Sequence, residues 1–517
     1  MNDRMAAAWR LLPEYLAHHV LLSATALLLG VLISVPLLLA ARRPSIRWPI
    51  LALASLVQTI PSLALLALFY PLLIALSSLT EKLFGLTFPA LGFLPSLLAL
   101  VLYSILPIVR NGTTALLNLD PQVMEAARGV GMTRREQLLR VELPLAAPML
   151  MAGVRTSAVW VIGTATLATP VGQTSLGNYI FSGLQVENWV SVLFGCLAAV
   201  ALALITDQLL ALIETGVARR RYRLAGLGAL LLVAGTAVAV APLMRSQAPA
   251  YVIGAKSFTE QYILSALMAE RLRAEGAPVV RRTGLGSAIA FRALANNEID
   301  AYVDYTGTLW TNVLGRSDRP SRARMLEELE LVLKREYGVT LLGPLGFENA
   351  YALAMRRDRA EALGISSIAE LATHAPRLRM GGDFEFFARP EWDVLRDRYG
   401  LQFSALRQFQ STFMYRAVAS GEVDVISAFS SDGRIEAYDL LVLQDPLAAI
   451  PPYDAVVLIS PRRAADARLK RTLEPLINAI PVELMREANN KVDGEGLTPV
   501  NAARWLGAEA AEQKDLP

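Results

Sequence analysis

The chain has 517 residues, enough for two or three domains, and 54% of them are hydrophobic. Its mean hydropathy of +0.40 is too high for an ordinary soluble protein, and its formal net charge of +3 lacks the basic excess of a nucleic-acid binder. One cysteine, Cys196, excludes a disulfide within the chain, and His18, His19 and His374 form no metal-ligand cluster.

The apolar content is uneven. Residues 1–245 carry nearly all the long apolar runs, with 17 basic and 10 acidic side chains, net +7. Residues 246–517 read as a soluble domain with 32 basic and 36 acidic side chains, net −4. Apolar segments near 16–41, 49–77, 89–111, 148–170, 188–214 and 224–244 are long enough to span a bilayer, so about six transmembrane helices are expected. The second contains Pro61 and Pro71, which blur its ends. His18 and His19, ahead of the first apolar run, are expected at the lipid–water interface.

Orientation follows from the basic loops. Arg42, Arg43 and Arg47 follow the first span, Arg128, Arg134, Arg135 and Arg140 lie between the third and fourth, and Arg219, Arg220, Arg221 and Arg223 follow the fifth. With six helices all three loops face the cytoplasm, whereas 78–88 holds only Lys82 and 171–187 no base at all. The sixth helix then exports everything after about residue 245, without a cleavable signal peptide. Arg245–Ala250 reads as a short linker. The expected domains are 1–223, a helical membrane domain; 224–249, the last transmembrane helix and linker; and 250–517, an extracytoplasmic domain.

Within the membrane half, Gln58-Thr59-Ile60-Pro61-Ser62 and Thr164, Thr166, Thr169, Gln173 and Thr174 put polar groups in or beside spans, facing other helices or a pathway. Ionisable residues are rare there; Asp207 and Glu214 lie near the cytoplasmic end of the fifth span, which argues against an ion-coupled carrier. Residues 125–144, EAARGVGMTRREQLLRVELP, form a compact charged insert between apolar segments. This run resembles the EAA loop of importer-type ABC permeases, the coupling element that docks on a cytoplasmic ATPase. The resemblance implies a coupling loop over 117–146, with Glu125, Ala126, Ala127, Gly131, Leu143 and Pro144 as its motif positions. Glu125 is expected near the start of the loop helix, and Gly131 at the turn that follows it. QTIPSLALL, residues 58–66, is similar to permeases of the osmoprotectant uptake family. No stretch matches G-x-x-x-x-G-K-[ST], so ATP hydrolysis is expected of a separate polypeptide, and no cofactor is expected in this chain.

In the second half strand-like and helical runs alternate. YVIGAKS, VVRRTG, AYVDYTG, YALAMR, RLRMGG, DVISAF, LLVLQD and AVVLIS read as strands, and FTEQYILSALMAERLRAEG as a helix. This pattern predicts a two-lobed α/β domain with mainly parallel sheets, crossing between lobes at Gly343–Gly346 and Ile450–Tyr453.

Six segments in order, GAKSFTEQYIL, DAYVDYTGTLW, ENAYALAM, EFFARPEW, VDVISAFSSDGRI and PPYDAVVLIS, resemble the motifs of osmoprotectant-type substrate-binding proteins, which bind quaternary ammonium compounds. Some members of that family fuse permease and binding protein in this order. A trimethylammonium group has no N–H to donate, so aromatic faces attract it, while the carboxylate of a betaine asks for Lys, Arg and hydroxyl donors. The resemblance implies an aromatic box of Tyr305, Tyr351, Phe429 and Tyr453 with Asn349 lining it, and carboxylate partners Lys256, Thr308 and Arg389. Phe429 stands where the family usually has tyrosine.

Together these features predict the permease and binding subunit of an ABC importer, a multi-pass bacterial inner-membrane protein. Its expected cargo is a betaine-like zwitterion such as glycine betaine, carnitine or ergothioneine, with choline as a further candidate. Expected partners are a cytoplasmic ABC ATPase, a second copy of the chain and membrane lipid; nucleic acid is not among them. The alternative is a receptor or ligand-gated channel for such a compound, but a sensor needs no ATPase dock. No nucleophile–base pair points to an enzyme.

Overall fold

The computed structural model describes residues 3–85, 88, 92–186, 188–244, 250–316 and 318–514. The expected linker at 245–249 lies outside them. The chain divides into two compact units, one of residues 1–180 and 191–246, the other of 181–190 and 247–517.

The first unit is helical. Among the described residues six helices are long and apolar enough to cross a membrane: Arg4–Ala40, Ser62–Phe84, Phe93–Leu117, Arg134–Val171, Trp189–Ala218 and Tyr222–Leu243. The expected span at 49–77 is instead broken into Pro44–Thr59 and Ser62–Phe84. Pro61 cannot donate the helical N–H and pushes Ile60 into extended backbone, φ −73°, ψ 127°, which ends the first piece. Gln58 Nε2 then donates to Tyr103 O at 3.2 Å, and the Tyr103 hydroxyl donates to Ile60 O. The polar run at the break is therefore tied to its neighbour.

Helix Phe93–Leu117 is the buried centre of this unit, with Ala99, Leu100 and Val109 fully buried. Small residues let backbones approach it. A Cβ on Gly153 would lie 2.9 Å from Pro107 O, and one on Gly30 would collide with the Ser104 side chain. His19 differs from its expected place. The first helix begins at Asp3, so His19 lies well inside it, fully buried, with Nε2 3.1 Å from Ile162 O and Nδ1 accepting from Leu176 N at 3.4 Å. Asp207 and Glu214 both accept from Arg155, at 2.9 and 2.8 Å, which explains how three charges share this helical unit.

The loop after Leu117 folds as two helical pieces. Asp120 caps Pro121–Gly129, its side chain accepting from Gln122 N at 2.8 Å. Glu125 is thus the fifth residue of that helix and does not open it; the N-terminal position belongs to Asp120. Gly131 has φ +79°, the left-handed turn that glycine adopts without strain. Thr133 and Glu136 form a reciprocal capping box that starts the second piece, which runs through a π-helical stretch, Gln137–Glu142, into helix Leu143–Ala165. Ala127 is buried, whereas Ala126, Val130 and Leu139 are exposed. Arg42 donates to Glu142 at 2.7 Å, joining the end of the first helix to this loop.

The second unit holds two five-stranded sheets. The strands are β1 Tyr251–Lys256, β2 Val279–Leu285, β3 Ala301–Tyr305, β4 Thr340–Glu348, β5 Tyr351–Arg356, β6 Arg379–Asp383, β7 Ala405–Phe409, β8 Val425–Phe429, β9 Leu440–Val442 and β10 Asp454–Ile459. Their orders are β2-β1-β3-β10-β4 and β7-β6-β8-β5-β9. Both sheets are mixed, contrary to the mainly parallel expectation. β1 pairs in parallel with β2 and β3, and β6 with β7 and β8, but β10 and β5 run antiparallel to both their neighbours. Two returning strands impose this: the chain enters the second sheet after β4 and leaves it before β10.

The first crossing lies at Asn349-Ala350, between β4 and β5, and not at Gly343–Gly346. Those glycines and Pro344 belong to β4, an edge strand whose pairing with β10 shifts register between Val457 and Leu458. Gly343 and Gly346 have φ of +152° and +114°. An irregular edge tolerates proline and strained glycine that a central strand would not. The return crossing lies in the segment between β9 and β10, which contains Ile450–Tyr453.

Candidate ligand site

The ends of strands from both sheets converge on one cavity of about 290 Å³, the size of a small-molecule site. All eight ligand residues expected from sequence line it: Lys256, Tyr305, Thr308, Asn349, Tyr351, Arg389, Phe429 and Tyr453. Pairing explains how they meet. Tyr305 ends β3 opposite Ala455 of β10, two residues beyond Tyr453, and Tyr351 begins β5 directly opposite Phe429 at the end of β8.

The rings form a connected wall. Tyr351 lies 5.0 Å from Phe429 and 6.0 Å from Tyr453 between ring centroids. Phe258, not among the expected residues, stacks at 6.1 Å from Tyr305 and 6.5 Å from Phe429 and so closes the set. Gly307 makes room for Tyr453, whose ring atoms would lie 2.6 Å from any Cβ there. Burial pushes the Tyr305, Tyr351 and Tyr453 hydroxyls well above their ordinary value, so the rings stay neutral. What they offer a cation is the quadrupole of the ring face and a dry surface.

The structure separates the two expected carboxylate partners. Lys256 Nζ is ion-paired with Asp304 and sits 5.1 Å from the Tyr305 ring centroid. Asp304 also accepts from the Tyr302 hydroxyl. Lys256 therefore faces the cavity with its charge already balanced. Arg389, the N-cap of helix Pro390–Tyr399, is 7% exposed and donates from Nη2 to Glu385 at 2.6 Å. Its Nε and Nη1 have no hydrogen-bond partner among the described residues. Glu391 instead accepts from the Tyr453 hydroxyl. Arg389 therefore has two donors free for an anionic group and lies 5.3 Å from the Tyr351 ring centroid; Arg434, which also lines the cavity, has one such nitrogen, Nη1.

The cavity lining also includes a carboxylate that the sequence did not single out. Glu260 is 2% exposed and accepts from Tyr305 Oη at 2.5 Å, Asn349 Nδ2 at 3.1 Å, Ser431 Oγ at 2.5 Å and Asn489 Nδ2 at 3.4 Å. Burial pushes its carboxyl above the ordinary range, against these four donors. The donors come from β3, the Asn349 crossing, the segment after Phe429 and helix Val482–Asp493. Glu260 thus joins parts of the domain far apart in sequence. Its FTE context read as an ordinary helix start, because the partners that give it meaning lie 45 to 229 residues away.

This geometry separates two tyrosines that look equivalent in sequence. Tyr305→Phe keeps the ring but removes a donor from a buried carboxylate, at a cost of roughly 1–3 kcal/mol of stability. Tyr351→Phe keeps the ring without touching that network. Thermal unfolding of the purified chain should show a clear loss for Tyr305→Phe and little for Tyr351→Phe; equal shifts would contradict the role given to Glu260.

Both halves of the chain are similar to known proteins. Residues 249–508 match the substrate binding domain of ABC-type glycine betaine transport systems, and residues 26–219 the binding-protein-dependent transport system inner membrane component. The chain is 29% identical over 486 residues to the ergothioneine transport permease/ergothioneine binding protein of Helicobacter pylori, covering 90% of this chain and 84% of that one. It is 40% identical to a choline transport system permease protein of Bacillus subtilis, over 38% of this chain and 83% of that one. A glycine-betaine-binding protein of Pseudomonas aeruginosa is 30% identical, over 50% of this chain and 87% of that one.

Proposed function

The chain belongs to the family of ABC-type glycine betaine transport substrate-binding domains, fused here to an ABC importer permease, and from that premise we propose that it captures a betaine-like zwitterion and passes it inward, driven by a separate ATPase. The six apolar helices make it a multi-pass inner-membrane protein, with the binding domain on the extracytoplasmic side. The observation that carries the ligand reading is Arg389: two buried guanidinium nitrogens without partners among the described residues, beside a wall of neutral rings. A quaternary nitrogen suits the rings, and a carboxylate suits the guanidinium. Glycine betaine, carnitine and ergothioneine have both groups; choline has only the first.

On this reading the EAA loop docks the ATPase. One loop per chain supplies one docking surface, so the working permease is a homodimer. The exposed apolar faces of Trp189–Ala218 and Tyr222–Leu243 serve lipid and the second copy.

Two experiments test these roles. Arg389→Ala should weaken binding of glycine betaine by about 1.5–3 kcal/mol, the worth of a hydrogen bond to a charged group, and leave choline nearly unchanged. Titration calorimetry on the full chain in nanodiscs measures both; equal losses would make Arg389 a structural residue. Gly131→Val places a β-branched residue at φ +79°, though nothing crowds the added side chain. The strain, roughly 1–2 kcal/mol, should distort the turn and abolish ligand-stimulated ATP hydrolysis in the reconstituted complex while ligand binding persists. Transport at the normal rate would refute the coupling role.

A further inference from the structure

Asp383 ends β6 and lines the same cavity. It is 6% exposed. Its Oδ1 accepts from the backbone N–H groups of Glu385 at 2.7 Å and Phe386 at 2.9 Å. Those two bonds set the plane of the carboxylate. Its Oδ2 is buried and has no hydrogen-bond partner among the described residues. Burial pushes this carboxyl above its ordinary range, while the two N–H groups and, more weakly, the charge of Arg389 pull it back.

The surrounding chemistry makes this oxygen informative. An ionised carboxylate only accepts hydrogen bonds, and an unsatisfied buried acceptor is costly. Neither end of glycine betaine supplies a donor: the trimethylammonium has no N–H, and its carboxylate is itself an acceptor. Arg389, which lines the same cavity, offers donors at Nε and Nη1. The cavity lining therefore holds both unsatisfied donors and an unsatisfied acceptor. A ligand that satisfies both needs an anionic group and a polar hydrogen.

We propose that Asp383 Oδ2 reads a hydrogen-bond donor on the ligand, so that the preferred cargo is a betaine bearing an O–H or N–H in addition to its quaternary nitrogen and carboxylate. This rests on the betaine reading above and narrows it. Asp383 is then a specificity residue, and the rings and Arg389 supply affinity common to all betaines. The donor has two chemical sources, the hydroxyl of a hydroxy-betaine or a ring N–H of a heteroaromatic betaine.

Matched ligands test this on the full chain in nanodiscs. Carnitine is compared with its deoxy analogue, γ-butyrobetaine, and ergothioneine with the derivative methylated at both ring nitrogens; glycine betaine is the reference. The wild-type chain should bind the donor-bearing member of at least one pair about tenfold more tightly, as expected for a hydrogen bond to a buried charge. Which pair shows the difference identifies the donor. Asp383→Asn should then narrow that ratio to about threefold or less. Its amide oxygen must stay on the Glu385 and Phe386 N–H groups, which turns the amide nitrogen toward the ligand and sets donor against donor. Equal affinities within both wild-type pairs would overturn the proposal, and that comparison needs no variant. An unchanged ratio in Asp383→Asn would also overturn it, because Asp383 would then not read the donor. Failure of the wild-type chain to bind any of the five compounds, glycine betaine included, would instead overturn the betaine reading on which this rests.

Discussion

A trimethylammonium ion carries charge but no hydrogen to donate, and on the proposed reading the binding domain is organised around that constraint. A carboxylate gains no hydrogen bond from such a cation and loses its own hydration in meeting it. Ring faces attract the charge without demanding a hydrogen bond and exclude water as they do so. This accounts for the convergence of Phe258, Tyr305, Tyr351, Phe429 and Tyr453 on one cavity. Glu260 lines the same cavity, but its oxygens are taken up by the Tyr305 hydroxyl and three other donors.

Holding five rings in one place, three at strand ends and two in the segments beside strands, is a problem of fold. The two antiparallel strands, β10 and β5, solve part of it. Each returns along its sheet, so that Tyr453 arrives beside β3 and Tyr351 beside β8. Glu260 solves the rest by drawing donors from four segments to one buried carboxylate. The membrane unit uses different means. Close approach at Gly30 and Gly153, the Arg155 pairs and the Arg42–Glu142 contact tie helices together where the hydrophobic effect discriminates little between helix and lipid.

Much of this was legible in the chain. β1, β3, β8 and β10 announced themselves because buried central strands are continuous apolar runs between turn residues. β4 and β7 did not. TLLGPLGFE carries two glycines and a proline that read as a crossover, and ALRQF is short and polar; both are edge strands, where such residues are tolerated. Pro61 was visible, but the bond from the Tyr103 hydroxyl to Ile60 O at the break was not. The aromatic wall was recognisable from motif order, whereas Glu260 and Asp383 were not. A buried acid looks like a surface acid until its neighbours are known, and Lys256 looked free until Asp304 was placed beside it.

The central claim is that charge, and not shape alone, holds the ligand against the rings. The most direct measurement compares glycine betaine with 3,3-dimethylbutyrate, in which a tert-butyl group replaces the trimethylammonium and the carboxylate is kept. Cation–π attraction of about 0.5–2 kcal/mol per ring, over several rings, predicts that the full chain binds glycine betaine at least about tenfold more tightly. Equal affinity for the two compounds would show that the rings act only as an apolar surface and would contradict the account.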